Sequence, residues 1–254
     1  MIDIIIIGTG NISYHFSEVI LKKNNLRLIE ICGRKNSIPD CFDKSILYSN
    51  DISKIQSADI YLICVTDDAI ESVNSQLNIN EESIVIHSSG STDMNCLSKH
   101  KKHGVLYPLQ TFSLNSQVDF NNIPIIVEAS ANEELIRIKE LSSILSKKVI
   151  ECNSTQRLSI HISAVFANNF SNHMNVIAEE ILEANNIDPN ILKPLILETS
   201  KKTQYLKFKE AQTGPAKRND QITIEKHLIL LKKTKHFDIY KKITEEIIKS
   251  NHEL

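Results

Sequence analysis

Two groups of residues in this 254-residue chain have types and spacings that could do chemistry. The first is Gly8-Thr9-Gly10-Asn11-Ile12-Ser13, directly behind the apolar run Ile4 to Ile7. In such a turn the first glycine permits the tight bend and the second lets the backbone approach a pyrophosphate. The helix that follows then points its N-terminal amides at the anion. Gly8, Thr9, Gly10, Asn11 and Ile12 are therefore expected to hold a dinucleotide. Ser13 stands where the third glycine of the fingerprint belongs, and a bare GxGxx pattern also occurs in ordinary strand-to-helix turns. The second group is His161, Asn168 and Asn172. At about 100° per residue they point within roughly 20° of one direction on a helix, with Asn169 to one side. A polar stripe of this kind either faces a substrate cleft or satisfies neighbouring backbone.

Further candidates stand at the ends of apolar runs, because ligands of open α/β sheets bind beyond the carboxyl ends of the strands. The second run ends in Gly33-Arg34-Lys35. No acid is present there for ribose hydroxyls, and a guanidinium suits a 2′-phosphate, so NADP is expected over NAD. Arg34 also reads as a solvated turn residue. After Thr66-Asp67, the pair Asp68 and Glu71 has capping-box spacing, leaving Thr66 and Asp67 to line the cofactor. His87-Ser88-Ser89-Gly90-Ser91 gathers an imidazole and three hydroxyls and is expected near the nicotinamide, with Ser88 on the cofactor and Ser89 on the substrate. A serine-rich turn capping the next helix is the alternative. Gln110, in Tyr107 to Ser113, offers an amide to the substrate or is structural. In the loop Gln212 to Asp220, Arg218 could clamp a carboxylate and Asp220 is the expected N-cap of the next helix. Lys99 to His103 reads as a solvated helix face, and no metal site is expected.

The elements that must carry these residues follow from hydrophobic periodicity. Strands are expected at Leu26 to Cys32, Ser45 to Tyr48, Asp59 to Val65, Ser83 to His87, Gly104 to Tyr107, Ile123 to Glu128 and Lys147 to Glu151, after the first at Ile4 to Ile7. Ile12, Phe16, Val19 and Ile20 recur at helical spacing, and further helices are expected at 69–77 and 131–146. This alternation, with strands apolar on both faces, predicts a doubly wound α/β sheet. From Thr155 the strand signal stops, and helices are expected at 155–185, 188–206, 220–233 and 236–250. The predicted organisation is a nucleotide-binding domain over 1–152 and a smaller all-helical domain over 153–254 that binds substrate or dimerises.

Composition narrows the function classes. With 29 Lys+Arg against 31 Asp+Glu, the formal charge of −2 gives neither a nucleic-acid footprint nor an electrostatic membrane anchor. No apolar run approaches the roughly 20 residues that span a bilayer. The five cysteines lack CxxC spacing and fit reduced thiols in a cytoplasm. A small-molecule substrate is the expectation.

Gly8-Thr9-Gly10-Asn11, Gly33-Arg34, His87 to Ser91, Pro108 to Phe112, Val165 to Asn172 and Gln212 to Asp220 carry a resemblance over nearly the whole chain. The chain resembles the Rossmann-like oxidoreductases with a C-terminal helical domain of unknown function (the domain of unknown function 2520 family). These are similar to the group of pyrroline-5-carboxylate reductase, β-hydroxyacid dehydrogenase and 6-phosphogluconate dehydrogenase. The resemblance implies NADP and a homodimer built through the helical domain. One departure is clear: β-hydroxyacid dehydrogenases carry a lysine about one turn before an asparagine, whereas Val165 precedes Asn169 here. Proton transfer would then fall to His161 or His87, with Asn168 and Asn169 beside them and Asn172 on the substrate. The expected activity is an NADP-dependent reductase delivering hydride to a carbonyl or imine of a small anionic metabolite. A non-catalytic NADP-binding redox sensor and a methyltransferase are the alternatives.

Overall fold

The computed structural model describes residues 1–252, which divide into two compact units, Met1–Asn169 and the residues from Phe170 onward. The first unit is built on an eight-stranded sheet: β1 (Ile2–Ile7), β2 (Leu26–Cys32), β3 (Leu47–Ser49), β4 (Ile60–Ile63), β5 (Ile84–His87), β6 (His103–Pro108), β7 (Pro124–Ala129) and β8 (Lys148–Glu151). The order is β3-β2-β1-β4-β5-β6-β7-β8, so the winding reverses between β1 and β4. That reversal opens the crevice in which such sheets bind ligands.

The isoleucine run of β1 is central because both of its faces are covered. Ile4 and Ile6 join Phe16 and Ile20 of α1 (Asn11–Ile20) and Ile138 and Leu141 of α3 (Asn132–Leu145) in one core. Ile5 and Ile7 join Tyr61, Ile63 and Ile70 in the other, against α2 (Ile70–Gln76). Cys32 and Cys64 lie in these cores as free thiols, and burial pushes Cys64 up to about 12. Lys99 to His103 is a turn, not a helix face. Its Lys99 Nζ donates to the oxygens of Ser75 and Leu77 at the end of α2, at 2.7 and 2.6 Å, and His103 opens β6.

All neighbouring strands are parallel except β6 and β7, which run antiparallel. The segment 109–123 between them carries only a short 3-10 turn at Phe120–Asn122. Without a crossover helix the chain turns back along the same edge, and β7 pairs in the opposite sense. The chain consequently leaves β8 toward the amino edge of the parallel strands. Helix α4 (Ser154–Ala164) then runs back toward their carboxyl edge, from Glu128 of β7 to Tyr107 of β6. Its start is a capping box formed by Asn153 and Gln156.

The long helix expected over 155–185 is not uniform. Between α4 and α5 (Ser171–Glu183) lies a π-helical segment, Val165–Phe170. The second unit comprises α5, α6 (Lys193–Lys202), the short α7 (Phe208–Ala211), α8 (Gln221–Leu231) and α9 (Phe237–His252). Asp220 caps α8, accepting from the Thr223 amide at 3.1 Å. Helix α8 is apolar on both sides: Ile224 and Leu231 are buried, whereas Ile222, Ile229 and Leu230 are 67–73% exposed. No helix among the described residues is long and apolar enough to cross a membrane.

Candidate functional site

The glycine turn after β1 shows two different demands. Gly8 has φ +127°, and a Cβ on it would stand 2.1 Å from the Cys64 oxygen. Only glycine is compatible with both. Ser13 solves the missing third glycine by turning its buried hydroxyl onto the same Cys64 oxygen, at 3.2 Å. Gly10 is the N-cap of α1, with φ −83° and no side-chain cap. A Cβ there would meet nothing within 4 Å. Neither backbone strain nor protein packing requires a glycine, so the space is kept for something outside the chain. An open volume over uncapped helix amides, with no acid in the first turn, fits a diphosphate. Asn11 Nδ2 donates to the Phe112 oxygen at 3.0 Å, so an anion here would meet the backbone of Asn11 and Ile12 rather than the Asn11 amide group.

At the end of β2, Gly33 gives way to Thr9 and Tyr48. A Cβ would lie 2.6 Å from the Thr9 methyl and 2.8 Å from the Tyr48 hydroxyl, which itself donates to the Lys35 oxygen at 2.8 Å. This brace fixes the turn that carries Arg34, which is exposed and has no ion pair among the described residues. The acid of this strand, Glu30, is buried and accepts from the Gln56 amide at 2.9 Å.

After β4, no capping box joins Asp68 to Glu71. Asp68 lies inside a 3-10 turn, Asp67–Ala69, whose N-cap is Thr66, and α2 starts from Ala69 without a side-chain cap. Thr66 and Asp67 are exposed, and the Asp67 carboxylate accepts from the Ser91 hydroxyl. The serine turn after β5 closes mainly on itself. Ser89 Oγ donates to Thr92 Oγ1 at 2.9 Å and accepts from the amides of Ser91 and Thr92, which fills its hydrogen-bonding capacity. Ser88 Oγ donates to the Ile63 oxygen at 3.4 Å. His87 is wholly buried, with Nδ1 accepting from the Ser89 amide at 3.1 Å. Burial, reinforced by the Arg157 charge, pushes its pKa down to about 3, so it stands neutral near pH 7.

His161 occupies a different setting. Half-buried on α4, it meets the Tyr107 hydroxyl through Nδ1 at 3.2 Å, the two rings edge to face at 5.9 Å. Gly90 makes room for the pair: a Cβ would fall 2.7 Å from His161 Nδ1 and 2.7 Å from Tyr107 Cζ. One helical turn earlier, the fully buried Arg157 bonds the oxygens of Ser89 and Thr92 at 3.1 and 2.8 Å. Its other terminal nitrogen bonds Glu128 Oε2 at 3.0 Å and Ser154 Oγ at 2.9 Å. Tyr107 and Arg157 are functional candidates that sequence reasoning missed. The available signals were a tyrosine at the carboxyl end of a strand and an arginine one turn before His161.

Asn168 and Asn169 are exposed on the π segment, where an extra residue per turn changes the 100° phase linking them to His161. Gln110 is exposed, its Oε1 accepting from the Thr111 amide at 2.8 Å. Asn172 and Arg218 belong to the second unit, where Arg218 lies 3.9 Å from Asp220. No metal-binding cluster occurs among the described residues.

Comparison with known proteins agrees with this architecture. A candidate NADP oxidoreductase from Bacteroides fragilis is 32% identical over 98% of both chains, with a TM-score of 0.88. A reductive aminase from Aspergillus terreus, in complex with NADPH and ethyl levulinate, matches 98% of this chain and 94% of its own at 11% identity and TM-score 0.74. A pyrroline carboxylate reductase from Plasmodium falciparum with NADP bound matches 98% of both chains at 12% identity and TM-score 0.62. No curated protein matches the chain. Residues 123–247, from β7 through most of α9, match the family "Domain of unknown function (DUF2520)". With this match and the Bacteroides relative along its whole length, the chain belongs to the DUF2520 family, set on a Rossmann-like sheet.

Proposed function

We propose that the protein is an NADP(H)-dependent reductase acting on a carbonyl or imine of a small anionic metabolite. The observation that carries this reading is Gly10, a glycine without strain or packing demand over uncapped helix amides. Gly8, Thr9 and the amides of Asn11 and Ile12 would hold the diphosphate, and Arg34 beyond Gly33 the 2′-phosphate. Thr66, Asp67 and Ser88 would border the nicotinamide end. A bound reduced nicotinamide supplies hydride to the substrate carbon.

The chain's own part is positioning and the proton. His87 is neutral and sealed, which leaves His161 to exchange a proton with the substrate. Asn168 and Asn169 offer amides and Gln110 its amide nitrogen to the substrate. Ser89, with its hydroxyl filled, supports the turn instead. The Bacteroides relative is named an NADP oxidoreductase, and the A. terreus neighbour is a reductive aminase in complex with NADPH, which supports the same class. We also propose a homodimer through the second unit, because a helix apolar on both sides, as α8 is, needs cover on both.

Calorimetry with NADPH and NADH tests the cofactor. Micromolar NADPH binding with weaker NADH binding is expected, and no heat with either would overturn the reading. A screen of keto acids and cyclic imines that follows NADPH absorbance then identifies the substrate.

A further inference from the structure

The contact between Tyr107 and His161 joins two elements far apart in sequence, one a strand end and the other a helix fixed by a buried arginine. The position that would obstruct it, Gly90, carries no side chain. Tyr107 approaches Nδ1 only, and Nε2 of the same ring has no partner among the described residues. We propose that Tyr107 is a positioning residue that fixes the tautomer of His161, so that Nε2 carries the proton exchanged with substrate. This rests on the reductase reading.

The chemistry balances without another reactant. A carbonyl that gains hydride at carbon must gain one proton at oxygen, and an imine one at nitrogen. The imidazolium Nε2–H bond breaks, the new O–H or N–H bond forms, and the imidazole becomes neutral until solvent reprotonates it. The hydroxyl of Tyr107 serves both states as an acceptor. It accepts from Nδ1–H of the cation and equally from Nδ1–H of the neutral ring that remains once Nε2 has lost its proton. Burial holds the phenol above its ordinary pKa, helped by Asp67 and opposed by Arg157. The tyrosine therefore remains protonated and orients the imidazole without exchanging its own proton. The ionisable groups around the pair are Asp67 after β4, His87 on β5, and Arg157 on α4.

Nitrogen-resolved NMR of the histidine side chains tests this in the full-length protein, with His161 assigned from the spectrum of His161→Gln. In the wild type at high pH, His161 is expected as the Nδ1–H tautomer, held by the Tyr107 oxygen. In Tyr107→Phe, which lacks the acceptor at Nδ1, the Nε2–H tautomer should gain population. Gly90→Ala keeps both side chains but forces them apart, and should give the same change. Unchanged His161 signals in both variants overturn the proposal, as does an Nε2–H tautomer in the wild type. NADPH calorimetry on the same samples separates the two ideas: loss of nucleotide binding in the wild type removes the reductase reading, whereas the tautomer result speaks to the pair alone.

Discussion

The Ser13 hydroxyl donates to the main-chain oxygen of Cys64, the same oxygen that a Cβ on Gly8 would strike. One carbonyl just past β4 thus receives both the first and the last position of the glycine turn, which explains how a serine replaces the third glycine at little cost. The turn is bound to the sheet at its ends and open in its middle.

Gly8 and Gly10 should therefore respond oppositely to substitution. Gly8→Ala meets positive φ and a carbonyl, and should cost at least about 2 kcal/mol in chemical denaturation. Gly10→Val should unfold near the wild-type midpoint yet bind NADPH about 10- to 100-fold more weakly, through loss of charge-assisted amide contacts. Equal stability of both variants would contradict the structure.

Arg34 should set the cofactor choice. Arg34→Ala is expected to raise the Kd for NADPH about tenfold or more while leaving that for NADH within about twofold, measured by calorimetry. A parallel loss for both nucleotides would assign Arg34 to the fold.

The buried His87 links stability to acid. Its folded pKa of about 3 lies below the ordinary 6.5, so the unfolded chain takes up a proton that the native protein refuses. This stability is complete above pH 6.5 and declines as pH falls toward 3. At pH 5 the loss should be about 2 kcal/mol. In His87→Asn, urea melts across this range should show a slope shallower by one proton.

Arg157 and Glu128 should behave as a unit. Removing either partner of a buried pair costs about 3–5 kcal/mol. Arg157→Lys, which cannot reach Ser89, Thr92, Glu128 and Ser154 together, should also be destabilised. Thermal melts of the two single variants and the double variant check this, with coupling of at least about 1 kcal/mol expected.

The exposed side of α8 bears on assembly. Ile229→Glu, placed where the side chain is 67% exposed, should leave the fold intact and convert the proposed dimer to monomers in sedimentation velocity. A wild type that sediments as a monomer at micromolar concentration would refute the dimer.

The parallel strands were legible in the sequence because burial on both faces leaves an unbroken apolar run, as in Ile60-Tyr61-Leu62-Ile63. The antiparallel sense of β7 was not, because the irregular segment before it carries no periodic pattern that marks the chain's return along the same edge. Gly8, Gly10 and Gly33 marked the turns after β1 and β2, since their spacing is local. The pairing of Tyr107 with His161 and the clamp of Arg157 were hidden, because each joins segments more than 25 residues apart in sequence through tertiary packing. Local rules misled at Asp68, where a 3-10 turn displaced the expected cap, and along the polar stripe, where the π segment changed the helical period.

The antiparallel return of β7 has one more effect. It makes α4 a short measured strut, anchored at Glu128 and ending at the imidazole, with Arg157 and His161 a single helical turn apart. Inserting or deleting one residue between those two would swing the imidazole by about 100° and shift it by about 1.5 Å along the axis. This stretch should therefore tolerate changes of side chain far better than changes of length.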